Sequence, residues 1–186
     1  MRSASHAPSI ADTVELRLHA AVPGEYAFYR WGNVAINVWM ARPTGAMVRC
    51  LSDLTAQSEQ LHPEGITSVH WLCEGVGLPT SEARVGLRQI AVRFGDHVTA
   101  VGVVIDGGGF WASALRSALN GVVIATEVKF IPRLYNNVDT LVDWLKDAHE
   151  RGTGVRVRGA QLRSRILQAV REATGAGQSV RVGAPR

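Results

Sequence analysis

Two stretches of this 186-residue chain carry residues whose types and spacing could do chemistry. The first is Asp106-Gly107-Gly108-Gly109. It follows the apolar run Val98–Ile105 and precedes Phe110–Ile124. In the latter, Trp111, Leu115, Ala118, Leu119, Val122 and Val123 recur at helical spacing. A strand, a glycine turn and a helix N-terminus together present free backbone N–H groups to an anion. Gly107, Gly109 and Ala112 also fit the relaxed dinucleotide pattern G-x-G-x-x-A, with Glu127 downstream. The same residues suit a plain tight turn, in which glycine supplies a positive φ and close helix–sheet packing. The plain turn is the commoner use of such glycines. The second stretch is Thr80-Ser81-Glu82, at the start of a helical pattern. Thr80 or Ser81 is expected to cap that helix, and Glu82 suits the positive end of its dipole. A phosphate on either hydroxyl would meet the same free N–H groups.

No catalytic constellation accompanies them. The chain has no G-x-S-x-G elbow, Walker loop, H-E-x-x-H or C-x-x-C. Asp106 falls at the carboxyl end of a strand, where open α/β sheets place their sites. One Asp without a base or nucleophile beside it is not a mechanism, and an Asp so placed usually binds turn amides. His6, His19, His62, His70, His97 and His149 are scattered, and His70 is expected to be a core or edge histidine rather than a metal ligand. Cys50 and Cys73 suggest neither a disulfide framework nor a zinc site, and both are expected as buried thiols. The expectation is a non-enzyme with no cofactor and no metal.

Composition narrows the class further. A hydrophobic content of 46% is ample for a core, and no apolar run approaches the roughly 18 residues a membrane helix needs. The first residues lack the apolar segment of a signal peptide, so a soluble, cytoplasmic protein is expected. The charge is uneven. Residues 1–150 hold 12 Lys and Arg against 15 Asp and Glu, whereas residues 151–186 hold eight Arg against Glu172 alone. The basic character therefore belongs to the C-terminal stretch, and does not make the whole chain a nucleic-acid binder.

The elements that must position these residues are readable in order. Residues 1–12 are expected to be disordered. Val14, Leu16 and Leu18 alternate with Glu15, Arg17 and His19, predicting a half-exposed edge strand. Tyr26–Trp31 and Val34–Met40 read as a hairpin joined by Gly32-Asn33, with glycine placed for a type II′ turn. Its aromatic residues are expected in the core or across strands, a self-association surface being the other use. Thr44 is expected to cap a helix that ends at His62-Pro63, and Ile66–Cys73 is the next strand. Ala83, Leu87, Ile90, Ala91 and Phe94 form the inner stripe of a second helix ending at Gly95, with Arg84, Arg88 and Arg93 facing out. Lys129–Tyr135 reads as a short last strand, at an edge because Pro132 lacks an N–H. Asn136-Asn137 opens a helix with Val138, Leu141, Val142, Leu145 and Ala148 inward, stopped by Gly152. A Gly- and Arg-rich linker leads to an amphipathic segment at Gln161–Ala173. There Leu162, Ile166, Ala169 and Val170 lie opposite Arg163, Arg165 and Arg171. Strands alternating with helices predict an α/β fold: a mainly parallel sheet of four to five strands, an antiparallel N-terminal hairpin at one edge and about four helices. The organisation is a disordered 1–12, an α/β domain over 13–150 and an Arg-rich tail over 151–186.

Over about residues 26–149, this order of hairpin, helix–strand repeats and closing helix resembles the STAS domain, the sulfate transporter and anti-sigma-factor antagonist family. The Asp106–Phe110 turn and the Ala112–Leu119 stretch are also similar to bacterial proteins described loosely as STAS/SEC14 domain proteins. The resemblance implies a non-enzymatic protein-interaction module, regulatory or scaffolding. In STAS antagonists a phosphorylatable Ser or Thr lies in a D-S-x-G-like motif where the third strand meets the second helix. That place here is Leu78-Pro79-Thr80-Ser81-Glu82. No Asp precedes Ser81, and Arg84 stands near where a glycine is expected.

Three functions follow as expectations. The first is a STAS-like interaction module with an unknown protein partner, self-association being open, whose surface is Arg84, Arg88 and Arg93 with the Thr80/Ser81 corner. The second is a nucleotide or lipid site at Asp106, Gly107, Gly108 and Gly109. The third is attachment to nucleic acid or another anionic surface through Arg163, Arg165, Arg171 and their neighbours, a salt-sensitive contact blind to sequence.

Overall fold

The computed structural model describes residues 9–10, 13–108, 112–115, 117 and 132–175. Among these, six strands form one mixed sheet: β1 (Arg17–Val22), β2 (Tyr26–Trp31), β3 (Val34–Trp39), β4 (Ile66–Leu72), β5 (Val98–Ile105) and β6 (Arg133–Tyr135). They lie side by side in chain order. β1, β2 and β3 pair antiparallel, and β3, β4, β5 and β6 pair parallel. The element order and mixed sheet are those the STAS resemblance implies, with β1 as a further strand on the hairpin edge.

The helices are α1 (Gly45–Leu61), α2 (Ser81–Phe94), α3 (Val138–Thr153) and α4 (Gly159–Thr174), and residues 112–115 are helical as well. Because the parallel strands advance in one direction and such crossovers are right-handed, α1 and α2 fall on one face of the sheet. That face joins Phe28, Trp39, Ile66 and Val101 to Leu51 and Leu54 of α1 and Ala83 and Phe94 of α2. The other face joins Trp31, Ile36, Val69 and Val104 to Leu141 and Leu145 of α3 and Leu162 and Ile166 of α4. β3 and β5 are buried along nearly their whole length, as strands covered on both faces must be.

Local signals set most boundaries. Thr44, Thr80 and Asn137 cap α1, α2 and α3, their side chains accepting from the N–H groups of Met47, Ala83 and Thr140. Gly32 has φ 55° and Asn33 has no positive φ, as a glycine-first hairpin turn requires. The aromatic residues of the hairpin, Tyr26, Phe28, Tyr29, Trp31 and Trp39, are all buried within the chain's own two cores.

Several expectations are corrected. β1 begins only at Arg17, leaving Val14 and Leu16 before it, and a register shift between Leu18 and Ala20 interrupts the alternation, leaving Leu18 58% exposed. Gly95 closes α2 in a right-handed conformation, φ −62°, so the left-handed freedom of glycine is not used there. Gly152 lies inside α3; the stop is Gly154, at φ 71°. Ile10 is buried against Gly32, and its N–H donates to the Arg156 carbonyl at 3.0 Å, so part of the N-terminal stretch is packed.

The amphipathic segment at 161–173 is a 16-residue helix and is no appendage. Leu162, Ile166 and Ala169 are fully buried in the sheet's core. A boundary at residue 150 therefore runs through packed structure. Residues 176–186 lie outside the described residues, as do Phe110, Trp111 and the Ala118–Ile124 part of the expected third helix.

Candidate functional site

The turn after β5 is built as an end-of-strand Asp turn. The Asp106 N–H donates to the Leu72 carbonyl at 2.8 Å, and its Oδ1 accepts the Gly107 N–H at 3.0 Å. The turn amide that would greet an anion is thus already held by a carboxylate. Gly107, at φ 86°, packs against the Glu74 side chain, which adds a second carboxylate. Asp106, Gly107 and Gly108 are exposed, and Gly109 lies outside the described residues. Two acidic neighbours oppose a phosphate here rather than attract it.

At the α2 N-terminus the two hydroxyls divide their tasks. Thr80 is half-buried, and its Oγ1 accepts the Ala83 N–H at 3.1 Å, which is the cap. Ser81 is exposed, and its Oγ accepts from Arg84 Nη2 at 3.0 Å. Arg84 Nη1 donates to the Pro79 carbonyl at 2.9 Å, fixing the guanidinium over the start of the helix. Glu82 bridges to Arg49 of α1 at 2.8 Å, with both side chains exposed.

The arginines do not make one patch. Arg84 and Arg88 lie one turn apart on the same side of α2. Nine residues separate Arg84 from Arg93, two and a half turns, so Arg93 faces the opposite way. Its guanidinium stacks over the Phe94 ring at 4.7 Å. On α4, Arg163 is paired with Asp139 of α3 at 2.6 Å. Arg165 donates to Gln168 and to the Val14 carbonyl, anchoring the segment before β1. Arg171 is exposed.

The histidines and cysteines are likewise scattered. Among the described residues no cluster of His, Cys, Asp and Glu has the size of a metal site. Cys50 and Cys73 are free and half-buried rather than buried, and burial pushes the Cys73 thiol up to about 11. His149 is fully buried, its Nδ1 bonded to Thr67 Oγ1 at 2.9 Å, and burial lowers its pKa to about 4.

One cluster has no counterpart among the residues the sequence singled out, His70 apart. Asn37 of β3 and Ser68 and His70 of β4 lie side by side on the α1/α2 face of the sheet. Asn37 Nδ2 is 3.0 Å from Ser68 Oγ, which is 3.0 Å from His70 Nε2. His70 Nδ1 accepts from the Trp39 indole at 3.1 Å. The sequence signal is a set of polar residues, Asn37, Ser68 and His70, at positions of β3 and β4 that share one face with apolar neighbours. The parallel register that pairs Asn37 with His70 turns that signal into a network.

No protein-family model matches the chain, and no curated protein matches it. Among solved structures, the chain is similar to an uncharacterized DUF3478-family protein with a SpoIIAA-like fold from Shewanella loihica PV-4. The identity is 13% and the TM-score 0.46, covering 68% of this chain and 97% of that one. No described helix is long and apolar enough to cross a membrane.

Proposed function

We propose that this chain is a non-enzymatic, STAS-like protein-interaction module, regulatory or scaffolding, whose state is set by phosphorylation of Ser81. The carrying observation is the division of labour at the α2 N-terminus. Thr80 performs the capping, which leaves the Ser81 hydroxyl exposed and 3.0 Å from the Arg84 guanidinium. A phosphate on Ser81 would gain charge-assisted bonds from Arg84 and the first-turn N–H groups, and would place negative charge on a surface that otherwise shows Arg84 and Arg88. The docking surface is this corner, with the partner a protein that distinguishes the two charge states.

Native mass spectrometry of the protein purified gently from its own host tests this, with peptide sequencing to locate any phosphate. The reading expects phosphate at Ser81 and a bound protein whose retention differs between Ser81→Ala and Ser81→Glu. An unmodified Ser81 together with identical partner retention by both variants would overturn it.

A further inference from the structure

The polar network beneath α2 has directions that its chemistry fixes. An indole N–H can only donate, so Nδ1 of His70 is the acceptor in the Trp39 bond and the ring proton of the neutral imidazole sits on Nε2. Burial lowers the His70 pKa to about 4, which keeps the ring neutral at ordinary pH. Nε2–H therefore donates to Ser68 Oγ. Asn37 Nδ2 donates to the Val69 carbonyl at 3.2 Å, which identifies that atom as the amide nitrogen, and donates to Ser68 Oγ as well. The serine oxygen thus accepts twice, and its own proton has no acceptor among the described residues. Ser68 is only 8% exposed.

That proton borders a cavity. A space of about 270 Å³ lies between the sheet and α2, lined by Ser68 and His70 from β4, Val103 from β5 and Leu87, Ile90 and Ala91 from α2. Leu87 and Ile90 belong to the inner stripe of α2 but are only half-buried, because they face this space rather than the sheet. Thr55 also lines it, with its hydroxyl already spent on the Leu51 carbonyl at 2.8 Å. Arg84 and Arg88 line it and are exposed, which sets them at its opening. A volume of this size holds a small organic molecule rather than one or two waters.

We propose that this cavity binds a small, largely apolar, uncharged molecule with one hydrogen-bond-accepting oxygen, which takes the Ser68 proton. Apolar walls supply the binding and a single placed donor supplies orientation, the usual division in small-molecule sites. An anion set at Ser68 would lose its hydration against a neutral histidine and apolar walls, a larger cost than a ketone or ether oxygen meets there. This proposal does not rest on the Ser81 reading, although Arg84 and Arg88 border both sites.

The test uses three probes of similar size with the full chain: acetophenone, isopropylbenzene and benzoate, titrated by calorimetry and by amide NMR shifts. Acetophenone is expected to bind about five-fold more tightly than isopropylbenzene, the worth of one net hydrogen bond. Benzoate is expected to bind more weakly than acetophenone. Ser68→Ala alone frees the His70 Nε2–H in place of the serine proton, so Ser68→Ala/His70→Phe is the variant that should lose the preference while still binding isopropylbenzene. Ala91→Leu, which fills the cavity from the helix side, should weaken both neutral probes by roughly ten-fold, the loss expected of an overfilled site. The proposal is overturned if the folded protein binds no probe, or if benzoate binds best. It also falls if the acetophenone preference is missing in the parent protein or survives in Ser68→Ala/His70→Phe.

Discussion

Gly152 of α3 lies so close against Thr99 of β5 that a Cβ on residue 152 would overlap the threonine side chain. Thr99 cannot simply turn away, because its Oγ1 donates to the Ile66 carbonyl at 3.0 Å. At the same crossing the missing Cβ of Gly102 on β5 makes room for Leu141 of α3. One glycine from each partner thus sets the helix–sheet distance. Gly152→Ala is therefore expected to destabilise by about 1–3 kcal/mol, as overpacking does, although alanine is the better helix former by about 1 kcal/mol. Urea unfolding measures it. Gly108→Ala is the control: nothing lies within 4 Å of its Cβ position, so a change within about 0.5 kcal/mol is expected. If Gly152→Ala matched the parent, the crossing would not be set by this contact.

His70 and His149 predict a pH dependence of stability. Burial lowers both pKa values from 6.5 to about 4. Between these values the unfolded chain binds protons that the native chain does not. Stability is therefore full above about pH 6.5 and is lost as pH falls towards 4. For His149 the loss is on the order of 3 kcal/mol, with the carboxylates of Glu64 and Glu150 acting against it. Urea midpoints at pH 8 and pH 5 should differ in the parent and differ less in His149→Gln. An equal difference in both would remove His149 as a source.

How much of this was legible in the sequence depends on the reach of each interaction. The caps at Thr44, Thr80 and Asn137, the Gly32 turn and the strands from β2 to β5 rest on residues a few positions apart. Periodicity and turn chemistry expose them. The Arg165 bond to the Val14 carbonyl and the burial of α4 join residues far apart in the chain, so Leu162 and Ile166 looked like one side of a loose amphipathic helix. The cavity network is the extreme case. Asn37 and Ser68 look like ordinary polar residues within apolar strands until the parallel register of β3 and β4 sets Asn37 beside His70. The Asp106 turn was legible in both its readings. The contact of Gly107 with Glu74, a residue more than thirty positions away, is what turns it against an anion.

Thr80 and Ser81 are adjacent, and substitution should separate them. Thr80→Ala removes the side chain that accepts the Ala83 N–H and should cost about 1 kcal/mol in urea unfolding. Ser81→Ala removes an exposed hydroxyl that accepts from the Arg84 guanidinium, and should change stability by less than about 0.5 kcal/mol. Equal losses would mean that Ser81 shares the cap and that Thr80 does not perform it alone.

The C-terminal stretch makes the sharpest structural prediction, because two chain ends only 25 residues apart should behave oppositely. Ending the chain after Gly175 removes only residues outside the described structure and should leave the urea midpoint of the folded domain unchanged. Ending it after Glu150 removes Leu162, Ile166 and Ala169 from the core, uncovers the β2–β3 face and takes away the Arg165 bond that holds Val14. It also removes Gly154, the left-handed stop of α3, and the Arg156 carbonyl that receives the Ile10 N–H. That chain should lose its cooperative transition. Ile166→Ala tests the same packing by a single substitution and should cost about 2–5 kcal/mol, the range for a large buried aliphatic side chain. If Ile166→Ala were neutral and the Glu150 chain unfolded cooperatively like the parent, α4 would be an attachment rather than a wall of the core. Its arginines would then return as a free basic surface. If both fail as expected, Arg163 and Arg165 act first as ties of α4 to Asp139 and Val14, and Arg171, exposed like Arg163 but outside those ties, is the one left to a partner.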